Sequence, residues 1–218
     1  MKLRRRRSRL IIAIAVVEIT TGLYRWTAPH PQWDRDAAAG TPPDWDRDVG
    51  SAFYDLGATV AIFDPQLPAG AEREQLLGWL DRIVAGRPVS VLSTTRWHRR
   101  DRDRIAERYP RSDGREWNTV PRGVRSLPLR GVGEIVFWLA QPATLIPGDS
   151  LVGTDDGLRL APEAWLADVP VDRRGLARQL RALLELPIER ILVSHGAPVL
   201  HDGRAALAHA IAEAEGAA

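Results

Sequence analysis

Apolar and polar positions along the chain alternate in short runs, broken by two stretches of helical period. An Ile- and Val-rich run from Leu10 to Val17, continuing through Ile19 to Trp26, predicts a first strand. From Gly22 to Asp48 the chain is dense in Pro, Trp and Asp, which predicts a structured loop. Its Trp26, Trp33 and Trp45 offer large contact areas, so the loop should fold over the body of the domain as a pocket wall or lid. Ser51 to Leu56 and Thr59 to Phe63, with Gly57 between them and Asp64-Pro65 after them, read as a hairpin. Leu76, Leu77, Leu80, Ile83 and Val84 recur at helical spacing over Glu72 to Val84. Val89 to Leu92 follows as a short buried strand, then a polar turn from Thr94 to Arg102 and a helix from Arg104 to Tyr109. The second half predicts strands at Glu134 to Ala140, Thr144 to Ile146 and Ile191 to Val193. It also predicts helices at Asp172 to Leu186 and Arg204 to Glu215. Hairpins mixed with strand-helix units imply an α/β chain, two sheets packed face to face with helices outside.

Composition narrows the picture in three ways. The chain has 218 residues, 44% of them hydrophobic, enough to bury one sizeable core without staples. No cysteine is present, which removes disulfides, thiolate zinc sites and thiol nucleophiles together and leaves cytoplasm as the favoured compartment. Thirty basic residues face twenty-eight acidic ones, for a net charge of +2, so overall charge implies no specific nucleic-acid partner. Arg4 to Arg7 precede the first apolar run in the manner of a signal sequence, but the run is far shorter than the ~20 residues of a membrane span. The reading is a basic tail over residues 1 to 9 and one domain from 10 to 218. Export through a twin-arginine signal, or tail contact with nucleic acid or anionic lipid, are the other uses of those arginines.

Three strands end in residues able to do metal or proton chemistry: Leu92 leads to His98 and Asp101, Ile146 to Gly148-Asp149, and Val193 to Ser194-His195-Gly196. Imidazoles and carboxylates from separate loops, with one position left for water, are what a hydrolytic metal site requires. Singly, each is an ordinary turn whose polar group caps backbone.

In order and spacing these segments resemble the metallo-β-lactamase family from about Gly22 to the C-terminus. Val60-Ala61-Ile62-Phe63-Asp64 resembles its early strand ending in Asp, Leu145 to Asp149 its Gly-Asp metal-bridging segment, and Val193-Ser194-His195-Gly196 its last ligand turn. The resemblance implies a four-layer αββα sandwich. The family's Thr-His-x-His-x-Asp-His loop falls where this chain reads Thr94-Thr95-Arg96-Trp97-His98-Arg99-Arg100-Asp101, so that motif is broken. Counted from Thr94, Thr95, Trp97, Arg99 and Arg100 occupy the ligand positions. Slipped by one residue, His98 and Asp101 take two of them and Arg96 and Arg100 the others. Arg130 stands where the family's middle His is expected.

So few ligands cannot hold two ions, because guanidinium is a cation that never deprotonates in proteins. The resemblance therefore implies an eroded site, in which His98, Asp149 and His195 hold at most one zinc, iron or manganese ion. Such a protein is at most a weak hydrolase of small esters or thioesters. The alternative is a non-catalytic protein that binds an anionic small molecule through Arg96, Arg130 and neighbouring arginines, with Asp101 and His30 as further ligand contacts. The run from Arg99 to Arg104 also reads as a solvated helix start, and His30 as a packing residue of the Trp-rich loop. No Gly-x-Ser-x-Gly elbow, Walker loop or Rossmann glycine pattern occurs, and Ser194 and His195, adjacent on a strand end, point to opposite sides and make no triad.

Overall fold

The computed structural model describes residues 16–30, 32–36, 46–109 and 119–216. The basic tail, the first part of the run from Leu10, and Pro31, Pro42, Pro43 and Trp45 lie outside them. A five-stranded sheet has the order β1-β2-β3-β4-β5: Val17–Thr20, Leu23–Pro29, Asp48–Asp55, Val60–Phe63 and Val89–Leu92. Its neighbours are antiparallel except β4 and β5, which run parallel because helix α1, Gly70–Val84, crosses over between them. Helix α2, Arg102–Arg108, follows β5. The second sheet comprises β6 (Val124–Leu129), β7 (Glu134–Leu139), β8 (Thr144–Ile146) and β11 (Arg190–Ile191), in the order β11-β8-β7-β6. A ribbon of β9, Leu151–Thr154, and β10, Gly157–Leu160, lies between β8 and helix α3, Arg173–Arg181, in the chain, and α4 spans Gly203–Gly216.

Strand alternation explains the layers. In β4, Val60 and Ile62 pack with Leu76 and Leu80 of α1, while Ala61 and Phe63 turn to the other face. There they join Phe137, Leu139 and Ile146 of the second sheet. Val136 and Trp138 of β7 point outward again, to Leu176 and Leu180 of α3 and Leu207 and Ile211 of α4. Three buried apolar layers separate helix, sheet, sheet and helix, the predicted αββα sandwich. A strand buried on both faces reads as a continuous apolar run, which is why β4 and β7 were legible. Among the described residues, no helix is long and apolar enough to cross a membrane.

Three elements depart from the expectation. The first strand, expected to run on to Trp26, is split by a turn at Thr21-Gly22, and the chain beyond Trp26, predicted as loop, stays in strand to Pro29, β2 pairing along its length with β3. β6 carries Ser126 and Pro128 because it is an edge strand, four of whose six residues are partly or fully exposed. The β9–β10 ribbon turns at Asp155-Asp156, between runs too short to declare themselves.

Candidate metal centre

Each polar side chain of the site sits where a strand ends between the two sheets. Asp64 closes β4 with a left-handed backbone (φ 45°). One of its carboxylate oxygens accepts the Thr94 N–H at 2.8 Å, and the other accepts the Thr94 hydroxyl at 2.6 Å. Thr95 caps the following 3-10 turn, Arg96–Arg99, through Oγ1, which accepts from Trp97 N–H. That turn folds His98 back, so that its Nδ1 lies 3.0 Å from Asp64 Oδ2 and 2.9 Å from Thr94 Oγ1. A carboxylate only accepts, and the threonine hydroxyl has already given its hydrogen to Asp64, so the network assigns the His98 proton to Nδ1. His98 Nε2 is thereby turned to the third loop, where it meets Asp149 Oδ1 at 2.9 Å.

Glu134, at the start of β7, holds that third loop. Its buried carboxylate accepts from Gly148 N–H at 2.9 Å, Ser150 N–H at 2.8 Å and Ser150 Oγ at 2.5 Å, clamping both neighbours of Asp149. Gly148 is required by space as well, since a β-carbon there would lie 2.6 Å from Thr95 Cγ2 and 2.7 Å from Thr94 Oγ1. His195 arrives from the opposite side. The Ser194 carbonyl accepts from Gly50 N–H, and the His195 carbonyl from Gly153 N–H. Its Nε2 lies 3.3 Å from the same Asp149 oxygen, and the Trp165 ring stands edge-on against the imidazole at 5.3 Å. Gly196 turns the chain away at φ 81°, and a β-carbon there would collide with the Gly153 carbonyl oxygen. Gly196→Ala is therefore expected to lower unfolding stability by about 1–3 kcal/mol, read from denaturant midpoints.

His98 Nε2, His195 Nε2 and Asp149 Oδ1 lie within 4.8 Å of one another. Both imidazoles also pair with that carboxylate, which holds the three groups together. The three side chains come from three separate loops and converge on one point, and the Asp149 side chain keeps 29% of its surface open. Two imidazoles and a carboxylate with an open side fit one divalent ion.

Electrostatics agree with the geometry. Burial works against a charged His98, yet Asp149 and Asp64 overcome it and raise its pKa to about 9. Burial likewise opposes ionised Asp149, but His98 and His195 hold it well below the usual carboxylate range. His195 is lowered, by burial first, with Asp149 partly offsetting. His30 is pushed down to about 4 by burial, then by Arg100, His195 and His98, which places a neutral imidazole beside the site. Its Nδ1 accepts from Gln32 N–H at 3.2 Å.

The structure thus brings together His98, Asp149 and His195, with His30 nearby, and sends the other predicted residues elsewhere. Asp101 is a correction: its carboxylate accepts Leu67 N–H at 2.8 Å and ties down the loop after β4. Arg96 is exposed, its guanidinium stacked over the exposed Trp97 ring. Arg130 does not take the place of an imidazole; it is exposed in the β6–β7 turn, its backbone N–H and carbonyl both paired with the Gln179 side chain. The cation that acts on the histidines is Arg100, which donates to Ser194 Oγ at 2.7 Å and to the Gly50 and Asp64 carbonyls. Glu134 was missed, although a lone carboxylate opening the apolar run Ile135 to Leu139 is a visible signal.

The fold can be set beside solved structures. The crystal structure of the DIM-1 metallo-β-lactamase superposes with a TM-score of 0.61 over 94% of this chain and 98% of that one, at 15% identity. A β-lactamase domain protein from Burkholderia ambifaria gives 0.59 at 16% identity, over 92% and 76% of the two chains. The fold is that of the metallo-β-lactamases. A metallo-β-lactamase from Erythrobacter litoralis also superposes, with a TM-score of 0.57 at 14% identity over 93% of this chain and 96% of its own. No protein-family profile and no curated protein sequence matches the chain. Within the metallo-β-lactamase fold, the strand ends that meet between the sheets here carry three ligand-type side chains and a buried arginine.

Proposed function

We propose that this metallo-β-lactamase-fold protein binds one divalent ion, zinc, iron or manganese, through His98, Asp149 and His195, and hydrolyses small esters or thioesters weakly. The convergence of those three side chains, from three separate loops, on one point carries the reading. A bound ion of this kind acidifies a water and polarises a carbonyl. The chain's own groups do the rest. Asp64 and Thr94 fix the tautomer of His98 and turn Nε2 into the site, and Glu134 fixes the Asp149 loop. Trp165 walls the site beside His195, and neutral His30 at the edge can contact a small-molecule substrate. Among the described residues only these three form such a group, so any activity should be low and dependent on a single ion.

The assay is hydrolysis of p-nitrophenyl acetate and a short acyl thioester by zinc-, iron(II)- or manganese-loaded protein against chelated protein. Activity that needs the ion and is lost in Asp149→Ala supports the hydrolase. Equal rates with and without the ion refute it. A second reading, a non-catalytic protein binding an anionic ligand in the cytoplasm, draws on buried Arg100 beside His195. Arg96 and Arg130 lend it less, since both are exposed, one stacked on Trp97 and the other in a turn paired with Gln179.

A further inference from the structure

At the edge where β1 ends the five-stranded sheet, a groove of about 270 Å³ opens among Val17, Ile19, Arg25, Thr27, Pro198 and Leu200. Its walls are apolar apart from Thr27 and Arg25. The β1–β2 register sets Val17 opposite Arg25, and Ile19 and Leu200 border the apolar layer between the sheets. The guanidinium lies inward, and its Nη2 makes two long bonds, 3.3 Å to the Gly196 carbonyl and 3.5 Å to the Val193 carbonyl. Arg25 Nε is buried without a hydrogen-bond partner. Burial lowers the Arg25 pKa to about 10, and among the described residues no carboxylate acts to raise it. An inward guanidinium without a counter-charge is costly, and it remains an incompletely used donor.

We propose that this groove binds the carboxylate of a small amphiphile, with the headgroup on Arg25 and the apolar tail along Val17, Ile19 and Leu200. Arginine matches a carboxylate bidentately, and an oxyanion supplies both the missing charge and the missing acceptor. The volume lies just under the ~300 Å³ lower end of small-molecule pockets, which suits a short or medium chain. The site is separate from the metal centre: Arg25 holds the carbonyls on either side of Ser194-His195 from behind the turn, while His195 faces Asp149.

The experiment is calorimetric titration of the full chain with sodium octanoate, with octylamine and 1-octanol as controls for headgroup charge. Octanoate should bind one to one and octylamine not at all. Arg25→Gln should weaken octanoate at least about tenfold, the loss expected for a charge-assisted hydrogen bond. Leu200→Trp, which fills the groove and leaves Arg25 in place, should abolish binding and keeps the test decisive if Arg25→Gln fails to fold. Asp149→Ala should bind octanoate as wild type does, because the headgroup does not sit on a metal ion. Failure of the full chain to bind octanoate, equal binding of octanol, or loss in Asp149→Ala but not in Arg25→Gln would each overturn the proposal.

Discussion

Metal-stripped protein is expected to unfold more easily as pH rises from about 6.5 to about 9. His98 is the cause: its imidazole gains Asp149 and Asp64 on folding, which raises its pKa from 6.5 to about 9 against the opposing effect of burial. A group whose pKa rises on folding contributes stability that is full below the unfolded value and is lost as pH climbs through the folded one. The loss across that window is on the order of 3 kcal/mol. Glu134 acts in the same direction at lower pH. Burial raises its pKa from 4.5 to about 7, so its contribution is full below 4.5 and has gone above about 7. Below pH 6.5 His30, lowered to about 4, and His195, also lowered, act the opposite way to Glu134. The fall in urea midpoints measured every half pH unit should therefore be concentrated between pH 6.5 and 9, and His98→Gln should flatten it there. Adding zinc should stabilise the wild type most at the alkaline end, where the ion no longer competes with the His98 proton. A His98→Gln curve parallel to wild type would remove the ion-paired imidazole from the account.

Glu134→Leu is expected to cost about 3–5 kcal/mol, because it strands three buried donors at once: Gly148 N–H, Ser150 N–H and Ser150 Oγ. Glu134→Gln should cost less, about 1–3 kcal/mol, since it keeps one acceptor and sets an amide N–H against a backbone N–H. Both changes free the two neighbours of Asp149, so zinc affinity should fall about 10–100-fold in Glu134→Gln. Affinity measured by competition with a chromogenic chelator, beside denaturant unfolding, separates the two effects. Wild-type zinc affinity in a destabilised Glu134→Gln would show that the clamp supports the fold alone.

Legibility in the sequence followed burial. β4 and β7, covered on both faces, announced themselves as unbroken apolar runs, and α1 by its leucine spacing. β6 did not, because an edge strand carries polar residues and proline. At the site, His195 and Asp149 were readable because each lies a few residues past a strand end. His98 was readable only with a slipped register, because the 3-10 turn after Thr95 changes which residues face inward. Turn geometry is set by the Thr95 cap and by the left-handed backbone of Arg100 (φ 38°), neither of which apolar periodicity reports. The same geometry explains the misplaced Asp101, carried past the site to a backbone amide of the β4 loop. Arg130 was placed by alignment with a ligand position, but the β6–β7 turn that holds it is pinned to α3 through Gln179. Charge alone cannot reveal Glu134 as a clamp, since its partners are backbone groups fourteen and sixteen residues away.

The claim that His98, Asp149 and His195 form a one-metal centre is tested most directly by metal stoichiometry. Inductively coupled plasma mass spectrometry on untagged protein should find about one zinc, iron or manganese per chain, lost in both His195→Ala and Asp149→Ala. A folded wild type without metal, which also takes up none on dialysis against zinc, would contradict it.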